Sequence, residues 1–95
     1  MQLRDLMAMP LEELPERLPA VLSESDQLAR VVDASRKLTT GINQTAIRAL
    51  SRQWGVAQNQ SGKNRTKQEM RNDIERRIRH QANMLLRQAY GAEPD

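Results

Sequence analysis

Met70, Ile74, Ile78, Ala82, Leu85 and Ala89 follow one another at intervals of 4, 4, 4, 3 and 4. No other feature of this chain restricts its fold as strongly. A helical turn of 3.6 residues returns every third or fourth side chain to the same side, so these six positions line one face of an α-helix. Thr66 and Glu69 stand just ahead of them in the T-x-x-E form of a capping box, where each residue's side chain satisfies a backbone N–H of the other. The spacing predicts a helix running to about Tyr90, stopped by Gly91 and later by Pro94. A helix this long with one apolar face must bury that face, so the rest of the chain has to supply a covering layer.

The preceding residues supply it from shorter helices. Leu3, Leu6 and Met7 suggest a first short helix ending before Pro10. Pro10, Pro15 and Pro19 then forbid one long helix, because proline lacks an N–H and is tolerated only in a first turn. One or two short turns are expected there, with Leu11, Leu14, Leu18, Val21 and Leu22 forming an apolar clamp. Ser23 suits the N-cap of the next helix, with Asp26 three residues on as capping partner. Leu28, Val31, Val32, Ser35 and Leu38 mark its inner face, and Thr39-Thr40-Gly41 ends it. Asn43 is the expected N-cap of a further helix that buries Ile47, Leu50 and Trp54. Gly55 fits the position after it, where left-handed backbone favours glycine, and Val56 the hydrophobic contact that follows. No long run of β-branched residues breaks this pattern. The fold class expected is all-α: a small single-domain bundle of about four helices with a long C-terminal helix. A chain of 95 residues suits one domain, and with one Trp, one Tyr and no Phe its core must be aliphatic.

Charge divides the chain in two. Residues 1–34 carry three Arg against seven Asp and Glu, whereas residues 35–90 carry twelve Lys and Arg against Glu69, Asp73 and Glu75. The net charge of +3 conceals this asymmetry. We therefore expect an acidic helical segment over 1–40, packing on or flanking the core, and a basic helix-loop-helix region over 41–91. A basic half with so few acids is the footprint of an anionic partner. Cysteine is absent, which excludes disulfides and thiolate metal sites, and the single His80 makes no metal cluster. No stretch approaches a membrane span, and the N-terminus lacks the order of a secretion signal. An intracellular protein, cytoplasmic or nucleoid, is expected, without a cofactor or metal.

Two sets of residues are candidates for the anionic partner. Lys63, Asn64, Arg65 and Lys67 cluster where the long helix begins, a place where the macrodipole disfavours cations by roughly 0.3–1 kcal/mol each. They make better sense if an anion completes the site, joined by the first-turn N–H groups; a flexible basic linker is the plainer alternative. Opposite the apolar stripe, the long helix gathers Asn72, Arg76, Arg79, Asn83 and Arg87, with Arg71 beside them. Arg and Asn on one side suit phosphates and base edges, although every amphipathic helix has a solvated outer face. Ser61-Gly62-Lys63-Asn64 is not a nucleotide P-loop, since Ala57 and Asn64 occupy the places of the required Gly and Ser or Thr. A helix-turn-helix is disfavoured too, because no apolar anchor follows Val56 until Met70.

The stretch from Ile42 to Ile78 resembles the SAP-like, helix-extended-loop-helix DNA-binding modules. Ile42, Ile47 and Leu50 match the spaced aliphatics of the first helix, followed by Gly55-Val56 and, in the polar loop, Gly62-Lys63. Lys67 to Met70 and Ile74-Glu75-Arg76-Arg77-Ile78 match the second helix. The loop is longer than is usual in that family. The resemblance implies double-stranded DNA binding by the loop, the first helix's basic residues and the start of the second helix. On this chain those are Arg48, Arg52, Lys63, Arg65 and Lys67.

Trp54 is either a base-stacking group or, as the scarcity of aromatics favours, the largest core side chain; Tyr90 is read as a packing residue and His80 as solvent-exposed. Ser51 and Ser61 have no evident base, and no acid pair lies on the basic face, so no enzyme is expected. Taken together, these residues predict a small helical nucleic-acid-binding protein, its partner double-stranded DNA held mainly by phosphate contacts. The rival is a protein-interaction adaptor or inhibitor with its basic face on an acidic partner. Either suits an accessory protein of a mobile element. The acidic segment offers a place for a protein partner, and Leu85-Leu86 or the leucine clamp a surface for a homodimer.

Overall fold

The computed structural model describes residues 3–90. Its longest element is α6 (Lys67–Tyr90), 24 residues and about 36 Å at 1.5 Å per residue, in a molecule 44 Å along its longest axis. Its start is the expected two-way cap. Thr66 Oγ1 accepts the Glu69 N–H at 3.1 Å, and Glu69 Oε1 accepts the Thr66 N–H at 3.0 Å. Met70, Ile74, Ile78, Ala82 and Leu85 are buried as their spacing requires. Leu86 is buried as well, and Ala89 is exposed. Leu86 lies seven residues, or two turns, beyond Arg79 and so on the same flank; α1 docks on that flank at Arg79 and widens the covered arc. The helix stop assigned to Gly91 and Pro94, like the side chain of Val21, lies outside the described residues.

α1 (Leu3–Ala8), α4 (Asp26–Thr39) and α5 (Gln44–Trp54) all pack on α6, which acts as the spine of an all-α bundle. Between α1 and α4 the chain makes three short turns, one more than expected: a 3₁₀ turn (Leu11–Glu13), α2 (Leu14–Arg17) and α3 (Ala20–Ser23). Each proline sits at or just before a first turn, where its missing N–H costs nothing. Leu11, Leu14 and Leu18 are buried and Leu22 packs against them, so the clamp closes on this chain's own core. Leu85 and Leu86 belong to the same core, which leaves Met84 as the one large hydrophobic side chain exposed among the described residues.

Ser23 does not cap the next helix. The turn launched at Pro19 already uses it: its hydroxyl donates to the Ala20 carbonyl at 3.0 Å and its N–H to the Pro19 carbonyl at 2.9 Å. α4 instead follows Ser25, whose side chain makes no capping bond. The 3₁₀ turn is fastened to α4 through Glu12, whose Oε1 accepts from Ser35 Oγ at 2.9 Å and Thr39 Oγ1 at 3.2 Å. The Glu12 backbone N–H first, and the Ser35 hydroxyl next, hold that carboxyl below the ordinary glutamate range.

α5 has both of its expected ends. Asn43 Oδ1 accepts the Ala46 N–H at 2.8 Å. Gly55, at φ 68°, lets the Val56 N–H reach back to the Ser51 carbonyl at 2.8 Å, closing a Schellman motif over the buried Val56.

Candidate nucleic-acid interface

Between α5 and α6 the polar stretch folds into a β-hairpin instead of an open loop. β1 (Asn59–Gln60) pairs antiparallel with β2 (Lys63–Asn64) in the register Asn59↔Asn64 and Gln60↔Lys63. Ser61 and Gly62 join them at φ 54° and φ 77°. Two consecutive positive φ angles are the signature of a type I′ turn, whose twist suits a two-residue hairpin. Glycine takes that conformation freely, while serine is strained there. The ladder continues to Gln58, whose carbonyl accepts the Arg65 N–H at 2.8 Å. All four strand residues are exposed.

The base of the hairpin is tied to the bundle by its cations. Arg65 donates to Asp73 Oδ2 at 2.7 Å and to the Ala57 carbonyl at 3.2 Å. The Arg65 hydrogen bond holds the Asp73 carboxyl below the ordinary aspartate range. Its side chain is only 13% exposed, so its charge is met inside the protein and no external anion is needed to explain it. Arg48 is half-buried, and its Nη1 reaches Gln58 Oε1 at 3.4 Å. Arg52, one turn further along α5, is exposed, as are Lys63 and Lys67, and none of the three has a partner among the described residues. The junction of α5, hairpin and α6 thus carries free positive charge at Arg52, Lys63 and Lys67, with the exposed Asn64 between them.

The outer side of α6 is built differently. Arg71 pairs with Glu75 at 3.2 Å and Arg76 with Asp73 at 3.0 Å. Asn72 accepts from Gln68 at 2.9 Å. Arg79 is half-buried, and its Nη1 donates to the carbonyls of Met7 at 2.9 Å and Met9 at 3.1 Å, just where α1 ends. Asn83 is half-buried too, with its Oδ1 enclosed and unpartnered. Arg87 is exposed and has no partner among the described residues. A groove of about 600 Å³ runs between the 3₁₀ turn, α4 and α6, and in it Arg71, Arg76 and Arg79 face Glu12 and Glu75. That surface mixes signs throughout, whereas at the hairpin junction the carboxylates of Asp73 and Glu69 are taken up by Arg65 and the helix cap, and Arg52, Lys63 and Lys67 stay unpaired among the described residues. The candidate residues therefore fall into two groups. Arg48 and Arg65 meet at the hairpin base through Gln58, with Lys63, Asn64 and Lys67 next to them in the chain and Arg52 one turn further along α5. Arg71, Asn72, Arg76, Arg79, Asn83 and Arg87 are strung along the helix.

The basic half is barest of acids between Asp33 and Glu69, an interval with no Asp or Glu and seven Lys and Arg. One signal escaped the reading of the sequence: Ser61-Gly62 flanked by polar runs is a two-residue turn signal, and it brings Asn59 opposite Asn64. Trp54 packs against the core half-buried, with the Arg30 guanidinium 4.7 Å from its ring centre, so one face of the indole is covered. Tyr90 also packs on the core and His80 is exposed. Ser51 is fully buried and its hydroxyl donates to the Ile47 carbonyl at 2.9 Å. Among the described residues no three His, Asp or Glu converge as metal ligands, and no helix is long and apolar enough to cross a membrane. Compared with protein-family models, curated proteins and solved structures, the chain gives no significant match.

Proposed function

We infer that this protein binds duplex DNA through the junction of α5, the hairpin and α6, chiefly by contacts to phosphates. The observation that carries this reading is that Arg52, Lys63 and Lys67 are exposed and have no partner among the described residues, within a stretch free of acids from Asp33 to Glu69. Lys67, in the first turn of α6 without an internal partner among the described residues, is mildly unfavourable to the isolated fold, and a phosphate would relieve that. The SAP-like resemblance agrees on the position of the site. A duplex is favoured over a single strand because single-strand recognition leans on exposed aromatic platforms. The only aromatics here, Trp54 and Tyr90, are packed against the core.

Gel-shift titration against duplex DNA, single-stranded DNA and RNA at two salt concentrations tests the reading. Each neutralised phosphate contributes roughly 0.9 to the slope of log affinity against log salt. Three contacts therefore weaken binding about 40-fold between 50 and 200 mM salt. Replacing Arg52, Lys63 and Lys67 together by Gln lowers affinity and flattens that slope. Arg65 is left in place, since it ties the hairpin base to α6 through Asp73. An unchanged slope removes the junction from the site, and no binding to any of the three nucleic acids at low salt promotes the protein-adaptor reading instead.

A further inference from the structure

The register of the hairpin sorts its side chains onto two faces. Opposed residues in an antiparallel ladder share a face, and neighbouring pairs alternate. Gln58 and Arg65, both half-buried, form one pair, and their face points to the bundle: Gln58 meets Arg48, and Arg65 meets Asp73. The next pair, Asn59 and Asn64, therefore points the other way, away from the bundle, and both residues are exposed. The Arg65 N–H bond to the Gln58 carbonyl makes that pair a hydrogen-bonded one. Alternation then makes Asn59↔Asn64 the non-hydrogen-bonded pair, the type in which side chains stand closest. Two carboxamides are thus held side by side on the outward face of a two-stranded ribbon stiffened by a tight turn.

Among the described residues nothing bonds to either carboxamide, and no apolar residue in Gln58 to Lys67 offers a protein partner a hydrophobic contact. Resting on the duplex-DNA reading above, we propose that this ribbon enters the major groove of B-form DNA and that Asn59 and Asn64 read adenine there. The major groove admits a two-stranded ribbon, and a carboxamide pairs with adenine by donating to N7 and accepting from the N6 amino group. Gln60 and Lys63, the next pair, alternate back to the face of Gln58 and Arg65, and the exposed Lys63 and Lys67 are left for the phosphates that border the groove. Duplex RNA is a poor substitute, because its major groove is too deep and narrow for side chains to read.

The test compares wild type with an Asn59→Ala/Asn64→Ala double variant on two duplexes of equal length, one rich in A·T pairs and one in G·C. A third duplex carries 7-deazaadenine, which lacks N7. Wild type should prefer the A·T duplex by on the order of tenfold. The double variant and the 7-deaza duplex should each lose that preference. The salt slope should not change, since no charge is removed. Circular dichroism confirms that the exposed substitutions leave the fold intact. Equal binding of both duplexes by wild type, or a preference that survives the double substitution, overturns the base-reading role and leaves phosphate binding standing. A preference indifferent to 7-deazaadenine overturns the major-groove placement. Absence of binding to any duplex overturns the DNA reading itself.

Discussion

Replacing Arg79 by Ala should cost stability and leave DNA affinity alone. By sequence Arg79 belongs with Asn72 and Arg76 on the outward face of α6, yet its guanidinium holds the Met7 and Met9 carbonyls at 2.9 and 3.1 Å. These carbonyls close the end of α1, where helix carbonyls lack intrahelical partners and carry partial negative charge. A hydrogen bond to a charged group contributes about 1.5–3 kcal/mol. Here one nitrogen serves both acceptors and the side chain is half-exposed, so water recovers part of the loss. A total of about 2 kcal/mol is expected. With an unfolding entropy of about 2.1 cal/mol/K per residue, that corresponds to a fall in Tm of about 10 °C for this chain. Arg76→Ala, three residues away, is the control. Its side chain is 79% exposed in a pair with Asp73, and its loss should cost under about 0.5 kcal/mol. Urea and thermal unfolding followed by circular dichroism measure both. Equal losses for the two variants, or an Arg79→Ala loss below about 0.5 kcal/mol, would refute the role assigned to Arg79.

Two further outcomes follow from the caps and carboxylates. Thr66→Ala should cost about 1 kcal/mol, and because Thr66 and Glu69 cap each other, adding Glu69→Ala should cost less than the sum of the single changes. Strict additivity in urea unfolding would show that the two bonds do not act together. Glu12, Glu69 and Asp73 all have carboxyl pKa values lowered by the fold, the largest causes being the Glu12 backbone N–H, the Thr66 backbone N–H and the Arg65 hydrogen bond respectively. The unfolded chain thus binds more protons in acid, so their stabilisation is complete at neutral pH and is lost as pH falls below about 4.5. The urea midpoint should hold steady from pH 7 to 5 and drop by pH 3, less so in a Glu12→Gln/Glu69→Gln/Asp73→Asn variant; an identical drop in that variant refutes the assignment.

What could be read from the sequence was what short-range physics controls. The ends of α5 and the start of α6 were legible because Asn43, Gly55, Thr66 and Glu69 act within one turn of themselves. The α6 stripe was legible because periodicity needs no knowledge of the partner. Arg79 and Leu86 were not, because their roles depend on where α1 docks, some seventy residues earlier in the chain. The hairpin was missed for the opposite reason: its residues are all polar, so no alternation of apolar side chains announced two strands. At the junction the free charges of Lys63 and Lys67 were legible from composition alone. The internal engagement of Arg65 was not, since Asp73 reaches it only once β2 and α6 are both in place.

The central position of α6 has a consequence for how this chain acquires its structure. α1, α4 and α5 each lean on the spine, and the spine is the last of the described elements to be synthesised. Until it arrives, the inner faces of α1, α4 and α5 lack the surface they share. Folding must then join segments far apart along the chain, which adds loop-closure cost to an otherwise local, fast-forming set of helices. The protein should collapse in one cooperative step after α6 emerges from the ribosome, and a chain cut within α6 should be recognised by the cell as unfolded.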